Sequence, residues 1–280
     1  MAYVMADIEV RGIAARLTYL GPMNERPRYY AINSARNVIT RDRRTIHIED
    51  ARSRVQQPSL GREGFALFPH KSAVSDFRNP EELTRIYAPE VERLVAEVSG
   101  ADQVVICGHV VHRFNERPPD PAGLNILRPA RFVHIDTSDS TATAFTERWR
   151  PKNSRQPVRR FAHYNVWRPL SPPPQDIPLA LCDARSVFSS ELVDADSIRD
   201  VPGEPESSIV VVLVRYSPHH RWVYFPDMNQ DEVLVFKSHD SDPAQPHHIP
   251  HCAFKDPACP PEVTPRASVE ARAVAFWFGN

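Results

Sequence analysis

The sequence predicts a mainly β fold of the barrel or jelly-roll type, with flanking helices. Its apolar residues recur in short runs separated by charged turns. Its 28 prolines, about twice the average usage, favour turns over long helices. Only one stretch has the apolar spacing of a helix, and many short strands without intervening helices are typical of barrels and jelly rolls.

The first hundred residues are predicted to form a β-rich and helical N-terminal segment. Asn79 can cap a helix that begins at Pro80, and Glu81 suits the positive end of the helix dipole. Pro89 should restart this helix, and Gly100 is placed to end it. Before the helix, three apolar runs have the pattern of strands: Ala14 to Leu20, Thr45 to Glu49 and Phe65 to Phe68.

Residues 101–280 are predicted to form the core, and residues 1–280 together a single domain. The stretch from Ser138 to Arg160 is polar, basic and weakly patterned, so it is predicted as a long loop, either a lid or plain surface. Apolar runs predict the core strands: Gln103 to His109, Ala130 to Asp136, His163 to Trp167, Leu179 to Cys182, Ser208 to Arg215, Trp222 to Phe225, Glu232 to Lys237, His251 to Phe254 and Ser268 to Phe278.

Charge and motif content exclude several classes of function. The 34 Lys and Arg residues nearly balance the 35 Asp and Glu residues, so no field of one sign marks a nucleic-acid or anionic-membrane binder. The nine glycines form neither the GxGxxG nor the P-loop spacing, and GxSxG and HExxH do not occur. Nucleotide cofactors and the common hydrolase mechanisms are therefore not expected.

Cysteine usage and hydropathy indicate the compartment. The four cysteines show no CxxC spacing, and acidic residues interrupt the N-terminus before any stretch long enough for a signal peptide. The longest aliphatic run, Ile209 to Val214, is too short to span a bilayer. We therefore expect free thiols, no membrane partner and a cytoplasmic protein.

A candidate metal site begins with His134 and Asp136 on one predicted strand. Successive side chains of a strand point to opposite faces, so these two reach the same side. An imidazole and a carboxylate supply two ligands of the 2-His-1-carboxylate triad of non-haem Fe(II) sites, although a bare His-x-Asp is a weak signal in a chain with 12 histidines. The candidate third ligand is His251, on a later strand that a jelly roll can return opposite the first pair. His239 and His248 are reserve candidates.

The last predicted strand carries a polar face that suits a dicarboxylate. Arg266, Ser268, Glu270 and Arg272 share this face, because every second residue of a strand points the same way. A dicarboxylate held on a metal by its keto-acid end needs a cation and a hydroxyl for the far carboxylate. We favour Arg266, which has Ser268 beside it, because Arg272 lies about 20 Å further along by strand rise. Arg272 is expected to pair with Glu270, another carboxylate or the substrate.

Each signal also has a plain structural interpretation. Alternating polar residues usually mean that one strand face is in water, and a histidine beside Cys and Phe is more often a packed core residue. A metal hydrolase could use the same three ligands with an activated water. A jelly-roll binding protein would need no metal. The ordered set of His-x-Asp, distal His and Arg-x-Ser favours iron over these alternatives.

The same order of residues resembles the 2-oxoglutarate oxygenase superfamily, whose core is a double-stranded β-helix. Five phrases are similar more specifically to the CmcJ/NvfI-type family, which includes cephalosporin 7α-hydroxylase components and fungal meroterpenoid oxygenases. The similarity covers nearly the whole chain from Gly64, and one departure is Ala267, where the family often has an acidic residue. The phrases are NVWRPL (165–170), IPLALCDARS (177–186), RWVYFP (221–226), DEVLVFK (231–237) and RASVEAR (266–272).

The resemblance implies a site and a chemistry. It implies a 2-oxoglutarate carboxylate near Arg266 and Ser268, with Arg272 as the neighbouring candidate. The implied cofactor and co-substrates are Fe(II), 2-oxoglutarate and O2, and the implied reaction is the hydroxylation, desaturation or oxidative cyclisation of a small molecule in secondary metabolism. The implied iron ligands are His134, Asp136 and His251.

Two further residues, both in the family-like stretch NVWRPL (165–170), are candidates for the pocket wall. Asn165 and Trp167 share a strand face and could line the cofactor or substrate pocket, although a buried Trp in a jelly roll is usually part of the core. The sequence predicts no nucleic-acid partner. The oligomeric state, with a homodimer as one option, stays open.

Overall fold

The fold consists of two curled β-sheets with flanking helices. A computed structural model describes residues 11–115, 126–152 and 156–279. Within them the chain is mainly β with flanking helices, as predicted. The prediction of no signal peptide concerns residues 1–10, which lie outside the described part of the chain. No helix among the described residues is long and apolar enough to cross a membrane.

The strands are numbered in chain order. They are β1 (Gly12–Leu20), β2 (Arg28–Tyr30), β3 (Arg41–Asp50), β4 (Phe65–Pro69), β5 (Gln103–Ile106), β6 (Val111–Phe114), β7 (Ile126–Leu127), β8 (His134–Ile135), β9 (Val158–Pro169), β10 (Leu179–Cys182), β11 (Leu192–Arg199), β12 (Ser207–Val214), β13 (Trp222–Tyr224), β14 (Glu232–Asp240), β15 (His251–Ala253) and β16 (Ala267–Phe278). The helices are α1 (Pro80–Glu82), α2 (Ala88–Ser99) and α3 (Asp139–Trp149), with a π-helical turn (Leu83–Tyr87) joining the first two.

The order of strands brings distant parts of the chain together. The nine-stranded sheet runs β1-β3-β13-β10-β15-β8-β12-β11-β2, and the seven-stranded sheet runs β4-β14-β9-β16-β6-β7 with β5 also on β16. The N-terminal strand β3 pairs with β13, and β4 pairs with β14. The N-terminal segment therefore contributes strands to both sheets.

Strand alternation divides the apolar residues among separate cores. Trp167 and Phe236 from the seven-stranded sheet meet Leu181 from the nine-stranded sheet in a core between the sheets. Tyr164 and the other outward residues of the seven-stranded sheet pack against α2. Asn165 and Trp167 of β9 and Arg272 of β16 lie on the opposite face, towards the nine-stranded sheet.

The predicted helix after Asn79 is confirmed. Asn79 accepts a hydrogen bond from the backbone N–H of Glu81 at 3.0 Å, and Gly100 ends the helix with a left-handed φ of 68°. The π-helical turn comes directly before Pro89. Because the ring of this proline crowds the carbonyl of Arg85 four residues earlier, the regular hydrogen-bond ladder cannot continue there.

The prediction of a long loop from Ser138 to Arg160 is wrong for its first half, which forms α3. Ser138 caps this helix by accepting from the N–H of Thr141 at 3.2 Å, and Asp139 occupies the first turn, where a carboxylate suits the dipole. The helix buries Thr141, Ala142 and Thr146. Threonine has weak helix propensity, so packing rather than local preference stabilises α3. Residues 153–155 of the predicted loop lie outside the described residues.

Candidate metal centre

Two neighbouring strands of the nine-stranded sheet bring the predicted triad together. His251 of β15 lies directly opposite His134 of β8 in the strand pairing, and Asp136 follows β8. The Nε2 atom of His134 is 3.7 Å from Oδ1 of Asp136, and that of His251 is 3.6 Å from Oδ2. All three side chains are buried, and their ligand atoms lie within 4.8 Å of one another.

Backbone carbonyls fix the protonation of both imidazoles. Nδ1 of His134 donates to the carbonyl of Phe132 at 2.7 Å, and Nδ1 of His251 donates to that of Ile249 at 3.2 Å. A carbonyl can only accept, so the ring proton is on Nδ1 and the lone pair is on Nε2. Among the described residues no hydrogen bond engages either Nε2 atom. Both lone pairs therefore face Asp136 and are available to a metal.

The carboxylate of Asp136 is held by two donors. Arg272 donates to Oδ1 at 2.8 Å, and the amide of Asn165 donates to Oδ2. Burial would raise the pKa of Asp136, but the neighbouring groups, with the Arg272 guanidinium first among them, lower the pKa below its usual value. Burial and the neighbouring His251 lower the pKa of His134 to about 4. An ionised carboxylate and a neutral imidazole are the protonation states that metal binding requires.

The residues present fit a non-haem iron and an acidic co-substrate. Two imidazoles and one carboxylate on one side are the donor set of Fe(II) oxygenases. The indole N–H of Trp167 is buried and has no partner among the described residues. A buried donor without an acceptor costs about 1–3 kcal/mol, so a ligand with an acceptor atom is expected beside it. Trp167 lines one cavity together with His134 and His251.

Arg266 supplies the cation of that same cavity. It is 1% exposed, and it donates to Ser268 Oγ at 3.2 Å and to the carbonyl of Ile177 at 2.9 Å. Its guanidinium also lies over the ring of Trp167, 5.0 Å from the ring centre. Burial and the nearby Arg113 lower its pKa to about 9. The group therefore stays cationic at neutral pH and is placed to bind an anion.

Arg272 contacts the carboxylate of the triad and does not line the cavity. Its guanidinium contacts Oε1 of Glu270 at 2.9 Å and Oδ1 of Asp136 at 2.8 Å. These contacts occupy it with carboxylates, so the structure separates the two predicted arginines. Asn165, predicted as a pocket residue, instead donates to Asp136 and is 1% exposed.

The sequence missed one cation of the site. Arg113 of β6 lines the cavity, and its Nε atom is 3.5 Å from Oε2 of Glu270. Burial would raise the pKa of Glu270, but Arg272 and Arg113 outweigh it and lower the pKa. Arg113 has no motif around it, and only the pairing of β6 with β16 brings it beside Ser268. No signal in the sequence alone could have found it.

Three other residues, His239, His248 and Cys252, lie outside the triad. The reserve ligands His239 and His248 both hydrogen bond to Asp139 instead. Cys252, next to His251, points to the opposite face of β15 and packs in a core with Cys182. Burial raises the pKa of the Cys252 thiol to about 12.

Comparisons with known proteins find relatives over most of the chain. A family model described as "Oxidoreductase/YMDC permease-like domain" matches residues 17–276. The hydroxylase/desaturase CTB9 of Cercospora beticola is 30% identical over 251 residues, which are 84% of this chain and 76% of CTB9. The Fe(II)/2-oxoglutarate-dependent dioxygenase nvfI of Aspergillus novofumigatus is 28% identical over 243 residues, 82% of each chain.

A solved structure supports the same likeness. The iron and alpha-ketoglutarate-dependent endoperoxidase NvfI superposes with a TM-score of 0.80 and 25% identity, over 96% of this chain and 98% of that one. The predicted double-stranded β-helix, or jelly-roll, core is thereby confirmed.

Proposed function

We infer that the protein is an Fe(II)/2-oxoglutarate-dependent oxygenase. The chain belongs to the oxidoreductase/YMDC permease-like family, and it aligns with hydroxylase/desaturases and with Fe(II)/2-oxoglutarate-dependent dioxygenases. It oxidises a small organic molecule by hydroxylation, desaturation or oxidative cyclisation, and belongs to secondary metabolism. The observation that carries this inference is the buried group of His134, Asp136 and His251 with both Nε2 lone pairs turned to the carboxylate.

We propose these three residues as the iron ligands and Arg266, with Ser268, as the partner of the far carboxylate of 2-oxoglutarate. When bound, Fe(II) and 2-oxoglutarate would supply the activation of oxygen, with succinate and CO2 as the products of the co-substrate. The protein's part is positioning: Arg272 and Asn165 orient Asp136, and Trp167 and Arg266 form the wall of the co-substrate cavity. The strands enclosing this cavity limit the access of water.

A metal hydrolase fits this arrangement less well. It would have no use for a buried arginine at the far end of the cavity, and the aligned relatives with descriptive names are oxygenases, hydroxylase/desaturases or oxidoreductases. A cytoplasmic location and a homodimer, both raised by the sequence, stay predictions.

The proposal is tested by spectroscopy and by product formation. Anaerobic addition of Fe(II) and 2-oxoglutarate to the metal-free protein should give the weak visible absorption band of Fe(II) chelated by a keto acid. His134→Ala, Asp136→Ala and His251→Ala should each abolish this band, because each opens the triad. The exposed His219→Ala is the matched control and should keep it.

Exposure to oxygen should then release succinate from the wild type and from His219→Ala alone. A folded His251→Ala protein with full succinate formation would show that the third ligand is wrong. Iron binding without either the band or succinate would favour the hydrolase.

A further inference from the structure

A second group of metal-binding residues lies outside the iron site. Asp139 begins α3, His239 lies on β14, and His248 lies in the segment that leads to β15. Oδ1 of Asp139 is 3.0 Å from Nδ1 of His239 and 2.9 Å from Nε2 of His248. The three ligand atoms lie within 4.8 Å of one another, and none of the three residues belongs to the iron triad.

This group is open on one side and fixed on the other. His239 is 8% exposed, and its ring stacks on Phe161, which holds it in place. The side chain of Asp139 is 71% exposed, so an ion can reach the group from solvent. Burial lowers the pKa of both imidazoles, which are therefore neutral at neutral pH and can offer a lone pair.

The backbone of His248 is held in an unusual conformation. Its φ is +57°, and Asp227 is the other non-glycine residue with positive φ among the described residues. Such a conformation is uncommon for a residue with a side chain and concentrates at binding sites. Here it directs the imidazole of His248 at Asp139.

We propose that Asp139, His239 and His248 bind a divalent transition-metal ion of the zinc class. Two imidazoles and one carboxylate match the borderline preference of Zn(II), and water can complete a tetrahedral set on the exposed side. Because a metal ion needs bare nitrogens, binding requires the ring proton of each neutral imidazole to move to its other nitrogen, Nε2 in His239 and Nδ1 in His248.

The position of this ion connects it to the iron site through the chain. Asp139 lies three residues after Asp136, and His248 lies three residues before His251. An ion shared by Asp139 and His248 joins the segments that carry two of the three iron ligands. Its binding stabilises the folded protein and fixes both segments.

The test counts bound ions on the untagged full-length chain after removal of metals with a chelator. Co(II) is titrated and followed by its visible absorption, and Zn(II) is titrated by calorimetry. The wild type should bind two ions, whereas His248→Ala and His239→Ala should each bind one. Loss of an outer partner of a metal ligand already weakens affinity by about 10 to 100 times, so loss of a ligand should weaken the second site by at least about 100 times.

Two controls separate this site from the iron site. His219→Ala, an exposed histidine far from the group in the sequence, should keep both ions. His251→Ala should lose only the ion of the iron triad, so failure of the proposed iron ligands is distinguishable from failure of this proposal. Asp139→Asn, at an exposed position, carries the test if His239→Ala does not fold.

A wild-type chain that binds one ion, and keeps that ion in His248→Ala but loses it in His251→Ala, would overturn the proposal. So would two ions retained at unchanged affinity in both Asp139→Asn and His248→Ala.

Discussion

At the scale of single residues, the site depends on which group each arginine contacts. Arg266 has hydrogen bonds to a hydroxyl and a carbonyl and lies in the cavity, so its positive charge is not neutralised by a bonded carboxylate among the described residues. Arg272 has two carboxylate partners, Asp136 and Glu270. Arg266 directly precedes β16 and Arg272 lies six residues further along, and we propose that the first binds an anion while the second orients Asp136.

This difference predicts different kinetic effects. Arg266→Ala should raise the KM for 2-oxoglutarate strongly, since loss of a buried charged partner costs about 2–5 kcal/mol, or about thirty-fold and more in affinity. Arg272→Ala should instead weaken Fe(II) binding by about 10 to 100 times, because it releases Asp136. Succinate formation across 2-oxoglutarate and Fe(II) titrations measures both constants.

The opposite pattern, with 2-oxoglutarate affinity lost in Arg272→Ala and kept in Arg266→Ala, would show that the arginine is wrongly chosen. Arg131→Ala changes an exposed arginine outside the cavity lining and serves as the control.

At the scale of elements, the sequence predicts an element correctly where local residues alone determine its structure. Pro80 and Gly100 mark the helix ends through the backbone conformations that proline and glycine favour. His134 and Asp136 are two residues apart, which is the spacing that puts strand side chains on one face. The helix α3 was missed because its threonines give no helical preference. The strand β11 (LVDADSIR) was missed because it is polar at alternate positions and forms near a sheet edge, between β12 and the short β2. Pairing partners far along the chain determine both elements.

The docking of α2 gives a prediction at this scale. Glu90 is 8% exposed and accepts from Ser72 Oγ at 2.5 Å and from the N–H of Ala73 at 2.8 Å, which joins the helix to the segment before it. Glu90→Ala leaves both donors without this acceptor and should lower the free energy of unfolding by about 1–3 kcal/mol. Urea denaturation measures the change.

The exposed Glu97 on the same helix is the matched control. Glu97→Ala should change the free energy of unfolding by no more than about 0.5 kcal/mol. Equal effects of the two substitutions would mean that the buried contacts of Glu90 do not stabilise the docking.

At the scale of the whole molecule, the many buried histidines determine how stability responds to acid. Burial lowers the pKa values of His112, His163 and His220. The unfolded chain takes up protons on these rings near pH 6.5, whereas the folded chain resists protonation until lower pH. Acid therefore favours the unfolded state before the carboxylates begin to titrate.

His163 makes this a quantitative prediction. Burial, with the neighbouring His239, lowers its pKa to about 3. Its stabilising effect is complete above about pH 6.5 and is lost at about 1.4 kcal/mol per pH unit as the pH falls towards 3. Urea denaturation of the metal-free protein between pH 5 and pH 6, below the unfolded pKa, should show a slope that is smaller in His163→Gln by about 1 kcal/mol per pH unit. An unchanged slope would contradict the prediction, and His219→Ala should leave the slope as it is.

Side chains that alternate between the two faces of β15 affect how easily Cys252 is oxidised. His251 faces the space where oxygen would be handled, and Cys252 faces the opposite core with its pKa raised to about 12. Oxidants attack the thiolate far faster than the thiol. One strand thus places a proposed iron ligand and an oxidisable sulfur on neighbouring residues of opposite faces. A misdirected oxidant would meet apolar side chains before it met this cysteine.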